Sequence, residues 1–220
     1  AGTGPCANAT AVVQVVRIIA PNAGTNGTVT VCSTNAPFPL LSFLGGTPNG
    51  GGTWRGPGNV AFNGTFIPGT SPPGQYAYVV TGTSPCVNDT GFVSVQVNTA
   101  PDAGQNAALT VCSSDAPFSL FDELGGDPDT GGTWTRPNGS SLPGGIFTPG
   151  SSAPGGYTYT VAGSTPCLSA TAVVTVSVNE QPDAGEDGSF TRCSTSGTVD
   201  LFDELDGDPD AGGVWTGPSG

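Results

Sequence analysis

An all-β chain is predicted, made of tandem two-sheet β-sandwich repeats of about 80 residues stapled by disulfides. Three observations lead there: the chain copies itself at a fixed interval, its apolar residues alternate in short runs, and turn residues interrupt every long segment. Among 220 residues, 36 are glycine and 21 proline, which leaves no room for a long amphipathic helix. The hydrophobic fraction of 35% is gathered in Val, Tyr and Phe runs.

The interval is carried by several independent markers. The turn Pro21-Asn22-Ala23-Gly24 returns as Pro101-Asp102-Ala103-Gly104 and as Pro182-Asp183-Ala184-Gly185. Trp54, Trp134 and Trp215 follow each other at 80 and 81 residues, as do Cys32, Cys112 and Cys193, and, near the other end of the repeat, Cys6, Cys86 and Cys167. A single inserted residue between Trp134 and Phe147 accounts for the longer interval and reads as a loop-length change. Residues 1–20 are then the end of a preceding repeat, 21–100 and 101–181 are complete repeats, and 182–220 is the front of a following one. A longer polypeptide is expected around this segment.

Each element follows from local pattern. Val29 and Val31 alternate with threonine, as Leu109 and Val111 do in the next copy, giving a short first strand. Phe38–Leu44 and Phe118–Leu124 are more apolar and fit either a strand or one helical turn. Gly-Gly-Thr-Trp at 51–54 and 131–134 opens a third strand with the indole facing inward, and Phe66 and Phe147 mark a fourth. Tyr76, Tyr78 and Val80 alternate, as do Tyr157, Tyr159 and Val161; one tyrosine of each pair is expected in the core with a corner hydrogen bond. The last strand is the clearest, with Val93, Val95, Val97 and then Val174, Val176, Val178. The opening segment keeps Val13 and Val15 but places Arg17 where Val97 would be, so its end is expected to be more exposed. Six or seven such strands per repeat describe two stacked sheets. A domain this small buries only about 60% of its unfolded surface, so a covalent staple matters.

Charge narrows the partners. Four arginines, no lysine and no histidine face 17 acids, for a net charge of −13. Such a chain repels phosphate backbones and anionic lipid surfaces, so neither nucleic acid nor membrane insertion is expected. No run approaches a membrane span.

Zinc is disfavoured for the six cysteines, because the paired short spacings and the histidines of such sites are absent. A disulfide framework and an oxidising, extracellular compartment are expected instead. Two pairings are open. Bonds within each repeat give Cys32–Cys86 and Cys112–Cys167; bonds across each junction give Cys6–Cys32, Cys86–Cys112 and Cys167–Cys193, always 26 residues apart. The first scheme is preferred because it makes each repeat self-sufficient. Either is expected to stabilise by about 3–4 kcal/mol through loop closure.

Taken together, the strings at 101–117 and 124–134, with Pro-Gly-Gly-Tyr-Thr-Tyr-Thr-Val at 154–161 followed by Pro166 and Cys167, resemble the Ig-like repeats of very large Bacteroidetes surface proteins. The resemblance spans the whole chain. It implies adhesin or gliding-motility arrays exported by the type IX secretion system, with a cell-surface location and an adhesive or filament-building role. It implies no ligand-binding residue, because the shared positions are framework ones.

Candidate chemistry is sparse. The adjacent acids Asp122-Glu123 and Asp203-Glu204 could suggest glycoside acid/base catalysis. Their counterparts in the first full repeat are Ser42 and Phe43, and neighbours on one strand point to opposite faces, so no catalytic residue and no enzyme is expected. Asp206, Asp208 and Asp210, with Gly212 beyond, form a weak calcium candidate. The second repeat offers only Asp127 and Asp129 there, and the first Thr47 and Asn49, so an acidic turn is the plainer reading. Trp54, Trp134 and Trp215 could stack on sugars but are expected in the core. Asn8, Asn26, Asn63, Asn88 and Asn138 head glycosylation sequons that fit chance in an Asn- and Thr-rich chain.

The expected function is an extracellular structural stalk, filament or adhesin, without cofactor. Its partners would be neighbouring repeats, other copies in a filament, or surface polysaccharide. The alternative is a carbohydrate-binding β-sandwich module of a secreted protein. Each repeat would add about 35–40 Å of reach, from six- to eight-residue strands at 3.3 Å per residue plus loops.

Overall fold

The computed structural model describes residues 4–5 and 9–218. These form two compact units, one within residues 1–101 together with 162–170, the other within 102–161 together with 171–220. The loop 162–170 follows the second copy in sequence but packs with the first unit. No helix among the described residues is long and apolar enough to cross a membrane.

In chain order the first unit holds β1 (Gly27–Cys32), β2 (Phe38–Pro39), a 3-10 turn at Leu40–Phe43, β3 (Thr53–Arg55), β4 (Ala61–Phe62), β5 (Thr65–Phe66), β6 (Gly74–Val80) and β7 (Asp89–Asn98). The main sheet runs β1-β7-β6-β3-β4, and β2 pairs with β5 in a small second sheet. Most pairings are antiparallel, but β1 lies parallel to β7, with Gly27 opposite Val93 and Cys32 opposite Asn98. The second unit repeats the plan with β8 (Ala107–Cys112), β9 (Phe118–Ser119), β10 (Thr133–Thr135), β11 (Ile146–Phe147), β12 (Gly155–Val161) and β13 (Ala170–Asn179). Its sheets run β10-β12-β13-β8 and β11-β9, again with a parallel first-to-last pairing that sets Cys112 opposite Asn179. The chain is all-β, in sandwich-like sheets.

Period-2 alternation does what it predicts. Tyr76, Tyr78, Val80, Val93 and Val95 turn inward, and Tyr157, Tyr159, Val161, Val174 and Val176 repeat the pattern. They close on Phe66, Leu40 and Leu44, or on Phe147, Leu120 and Leu124. Burying one such side chain contributes about 1.5–3 kcal/mol. The ambiguous Phe38–Leu44 segment is both things: Pro39 ends the strand after two residues, and the chain then winds into the 3-10 turn that buries Leu40.

Three expectations are corrected. Asp203 and Glu204 lie on a 3-10 turn at Phe202–Glu204, and Asp122-Glu123 fall in a turn after β9, so neither pair belongs to a strand. Residues 9–20 form no strand, and Val13 and Val15 are each 85% exposed, because no first strand lies beside them as β1 lies beside β7. Trp215 is 55% exposed rather than core. Trp54 and Trp134 are covered by Tyr78 and Tyr159 at 4.9 and 5.0 Å between ring centres, and among the described residues no tyrosine covers Trp215 in that way.

Residues 182–218 nonetheless reproduce part of the local frame. The bridge between Glu186 and Asp206 repeats those of Thr25 with Gly45 and Gln105 with Gly125.

Candidate functional site

The cysteines overturn both proposed pairings. Cys32 is bonded to Cys167 across 135 residues, with Cα atoms 4.9 Å apart. Cys86, Cys112 and Cys193 are free, so Cys32–Cys86, Cys112–Cys167, Cys86–Cys112 and Cys167–Cys193 are not formed. Cys6 lies outside the described residues, and its partner in the junction scheme is already bonded. The reason is the parallel pairing of first and last strands. Cys32 stands opposite Asn98, at the end of β7, whereas Cys86 precedes the start of β7 at Asp89. Ten residues of strand separate them, about 30 Å at 3.3 Å per residue. A disulfide tolerates no more than about 7 Å between Cα atoms.

The loop carrying Cys167 is held at that end of β7. Asn98 donates its side-chain amide to the carbonyls of Thr165 (2.7 Å) and Ser164 (3.4 Å), and the Cys167 sulfur lies 3.3 Å from the Asn98 carbonyl.

The acidic turns are structural locks. The backbone N–H of Asn22 donates to Asn49 Oδ1 at 2.7 Å, and those of Asp102 and Asp183 donate to Asp129 and Asp210 Oδ2, both at 2.9 Å. In turn Asn22, Asp102 and Asp183 accept from the N–H of Gly24, Gly104 and Gly185. Of the calcium candidates Asp206, Asp208 and Asp210, the last has its carboxylate engaged by the Asp183 amide, and Asp206 pairs through its backbone with Glu186. No group of three metal-ligating side chains comes together among the described residues. Sequence reasoning missed this lock, although a signal was there: the two positions change from Asn to Asp together, at 22 with 49 and at 102 with 129.

Both tyrosines of each pair, rather than one, are buried and bonded. Tyr76 and Tyr157 donate to the carbonyls of Pro72 and Ala153, each at 2.7 Å. Tyr78 donates to the Asn49 carbonyl and accepts from the Gly52 N–H; Tyr159 does the same with Asp129 and Gly132. That close approach explains the second glycine of Gly-Gly-Thr-Trp: a Cβ on Gly52 would sit 2.6 Å from the Tyr78 ring, and one on Gly132 2.5 Å from that of Tyr159. Burial pushes the Tyr76 and Tyr157 phenols above their ordinary range.

A sugar-stacking indole needs an open face. Trp134 is 6% exposed and Trp54 half-buried, so neither offers one. A cleft of about 500 Å³ beside Trp134 is lined by Phe121, Tyr159 and the Gly131-Gly132 turn. The sequon asparagines serve the backbone as well. Asn26 accepts from the Phe92 N–H, and Asn106, which heads no sequon, accepts from that of Val173 in the same way. Asn63, Asn88 and Asn138 accept from Thr65, Gly82 and Ser140, while Asn8 lies outside the described residues.

No family model and no curated protein matches the chain. Among solved structures it is similar to a three-Ig-domain fragment of titin, at 14% identity over 74% of this chain and 65% of that one, with a TM-score of 0.40. It is also similar to the N-terminal four Ig domains of a Dscam1 isoform, at 17% identity over 76% and 48%, with a TM-score of 0.42. Domains 3–5 of Drosophila OTK align at 14% identity over 81% and 71%, with a TM-score of 0.29. The chain thus spans less than two thirds of the titin fragment and about half of the Dscam1 one.

Proposed function

We propose that this chain is a segment of an extracellular repeat array that acts as a structural stalk, filament or adhesin on a bacterial surface, and that it catalyses nothing. One observation carries the reading: apart from the Asn98 amide, which holds the next copy's loop, the recurring polar side chains named above are used by the copy's own backbone. The 22/49 and 102/129 locks, the four tyrosine hydroxyls and Asn26 with Asn106 all bond main-chain groups. Copying has kept what builds the scaffold, as in proteins whose function comes from reach and repetition. Many weak contacts presented along one thread then add through avidity.

Electron microscopy of the native surface material tests this. Beads at a regular spacing of about 35–40 Å along a thread or fibre are expected, from the strand lengths. An isolated compact particle would refute it. Binding of the 220-residue chain to a glycan panel with fast saturation at one site per copy would favour the carbohydrate-binding module instead.

A further inference from the structure

Each complete copy carries one sulfur at each end of its parallel strand pair, and the Cys32–Cys167 bond joins the first cysteine of one copy to the second cysteine of the next. The free cysteines stand in the same two settings. At the first-cysteine end, Cys32 and Cys112 accept the same turn: the N–H of Cys32 donates to Asn35 and that of Cys112 to Asp115. Ser33 N–H bonds the Asn98 carbonyl as Ser113 N–H bonds that of Asn179, and the Ser33 and Ser113 hydroxyls accept from Ala100 and Gln181. Asn179 therefore occupies the place of Asn98, whose amide holds the incoming loop. At Cys193 the turn closes likewise, with Ser196 N–H on the Cys193 carbonyl.

At the second-cysteine end, the loops of Cys86 and Cys167 superpose in their bonding. Cys86 N–H bonds Thr83 and Cys167 N–H bonds Ser164, both at 2.8 Å, and each cysteine follows a proline. The Cys86 sulfur faces the Ile18 carbonyl at 3.9 Å, as the Cys167 sulfur faces that of Asn98, and Ile18 stands 80 residues before Asn98. The Cys86 loop is already seated against the end of the preceding copy, where the bonded loop sits in the next one.

We propose that Cys86, Cys112 and Cys193 are rungs of a repeat-to-repeat disulfide ladder, in which the first cysteine of every copy bonds the second cysteine of the copy that follows. Cys86 takes the first cysteine of a preceding copy; Cys112 and Cys193 take second cysteines of following copies. The partner is a repeat of this same fold, supplied by the same polypeptide or by a second molecule. Each rung forms by thiol–disulfide exchange: two thiols lose two protons and two electrons to a disulfide oxidant, one S–S bond forms, and the oxidant leaves as a dithiol. The first cysteines are suited to attack. Hydrogen bonds from Ser114 to Cys112 and from Thr195 to Cys193 hold both thiols below their ordinary range, which raises the thiolate fraction.

The ladder rests on the array reading only in needing neighbouring copies. The test is peptide mapping of the native polypeptide, alkylated before digestion and kept unreduced. Near-complete linkage of Cys112 to a Ser/Thr-Pro-Cys peptide, and of Cys86 to a Val-Cys-Ser/Thr peptide from outside residues 21–220, is expected. Electrophoresis under denaturing, non-reducing conditions assigns the source: a single-chain mass means partners within one polypeptide, and a thiol-sensitive multiple means a second molecule. A Cys86–Cys112 link, or full alkylation of Cys86 and Cys112 without reductant, overturns the ladder. Threads in micrographs combined with free Cys86 would sink the ladder and leave the array standing; linked peptides from a particle without repeats would do the reverse.

Discussion

Removing the Tyr78 hydroxyl separates a packing role from a bonding role. The ring is 3% exposed, stacks 4.9 Å from Trp54, and stays in Tyr78→Phe. What goes is one oxygen that donates to the Asn49 carbonyl at 2.7 Å and accepts from the half-buried Gly52 N–H at 2.9 Å. A neutral hydrogen bond contributes about 0.5–1.5 kcal/mol, and a buried group left without a partner costs about 1–3 kcal/mol. The loss should be about 2–3 kcal/mol, because the half-buried Gly52 N–H loses its acceptor and the Asn49 carbonyl its donor in one change. Tyr76→Phe is the control. Its hydroxyl makes one bond, to the carbonyl of exposed Pro72, which water can satisfy, so about 1 kcal/mol is expected. Urea unfolding of the 220-residue chain, followed by tryptophan fluorescence, reads both. At about 4–8 °C per kcal/mol for a domain of this size, the Tyr78 variant should also melt at least 8 °C lower. Tyr159→Phe must behave as Tyr78→Phe does, since it bonds Asp129 and Gly132 in the same way. If Tyr76→Phe costs as much as Tyr78→Phe, the two-sided bond is not what holds the Gly-Gly-Thr-Trp turn.

Three further outcomes follow from the same geometry. Asp129→Ala should lower the unfolding free energy read from urea titration by about 1 kcal/mol through loss of the bond from the Asp102 amide, whereas Asp129→Asn should be neutral, because Asn49 fills that place in the first copy. Stability should fall as pH rises past about 10, since the unfolded chain releases its phenolic protons there while Tyr76 and Tyr157, held higher by burial, keep theirs; with free thiols alkylated, Tyr76→Phe should flatten the slope of midpoint against pH. Replacing Cys32 and Cys167 by serine should destabilise by up to about 5 kcal/mol, the chain-entropy value for a 135-residue loop, and an unchanged midpoint would show that the bond constrains nothing in the unfolded chain.

The long strands β6, β7, β12 and β13 and the inward face of their valines were legible in the amino-acid order. Alternation at Tyr76-Tyr78-Val80 and Val93-Val95 is local, and a strand's two faces differ in burial wherever the core lies. Proline at 39 and the glycines of the turns act over a few residues, so the strand ends were foreseeable in kind, if not to the residue. The Asx lock between 22 and 49 was written in paired substitutions yet gained meaning from a hydrogen bond across 27 residues.

Connectivity of the sulfurs was beyond the linear order. Spacing left Cys32–Cys86 and Cys86–Cys112 both open, with the first preferred only for making each repeat self-sufficient, because loop-closure entropy changes little with length and carries no direction. The parallel alignment of β1 with β7 put Cys32 and Cys86 at opposite ends of one sheet and left Cys167 as the sulfur within reach. Short-range pattern thus sets which side of a paired strand turns inward; whether the strand is paired, and which distant residues meet, depends on strand direction and neighbours, and those exist only once the sheet has formed.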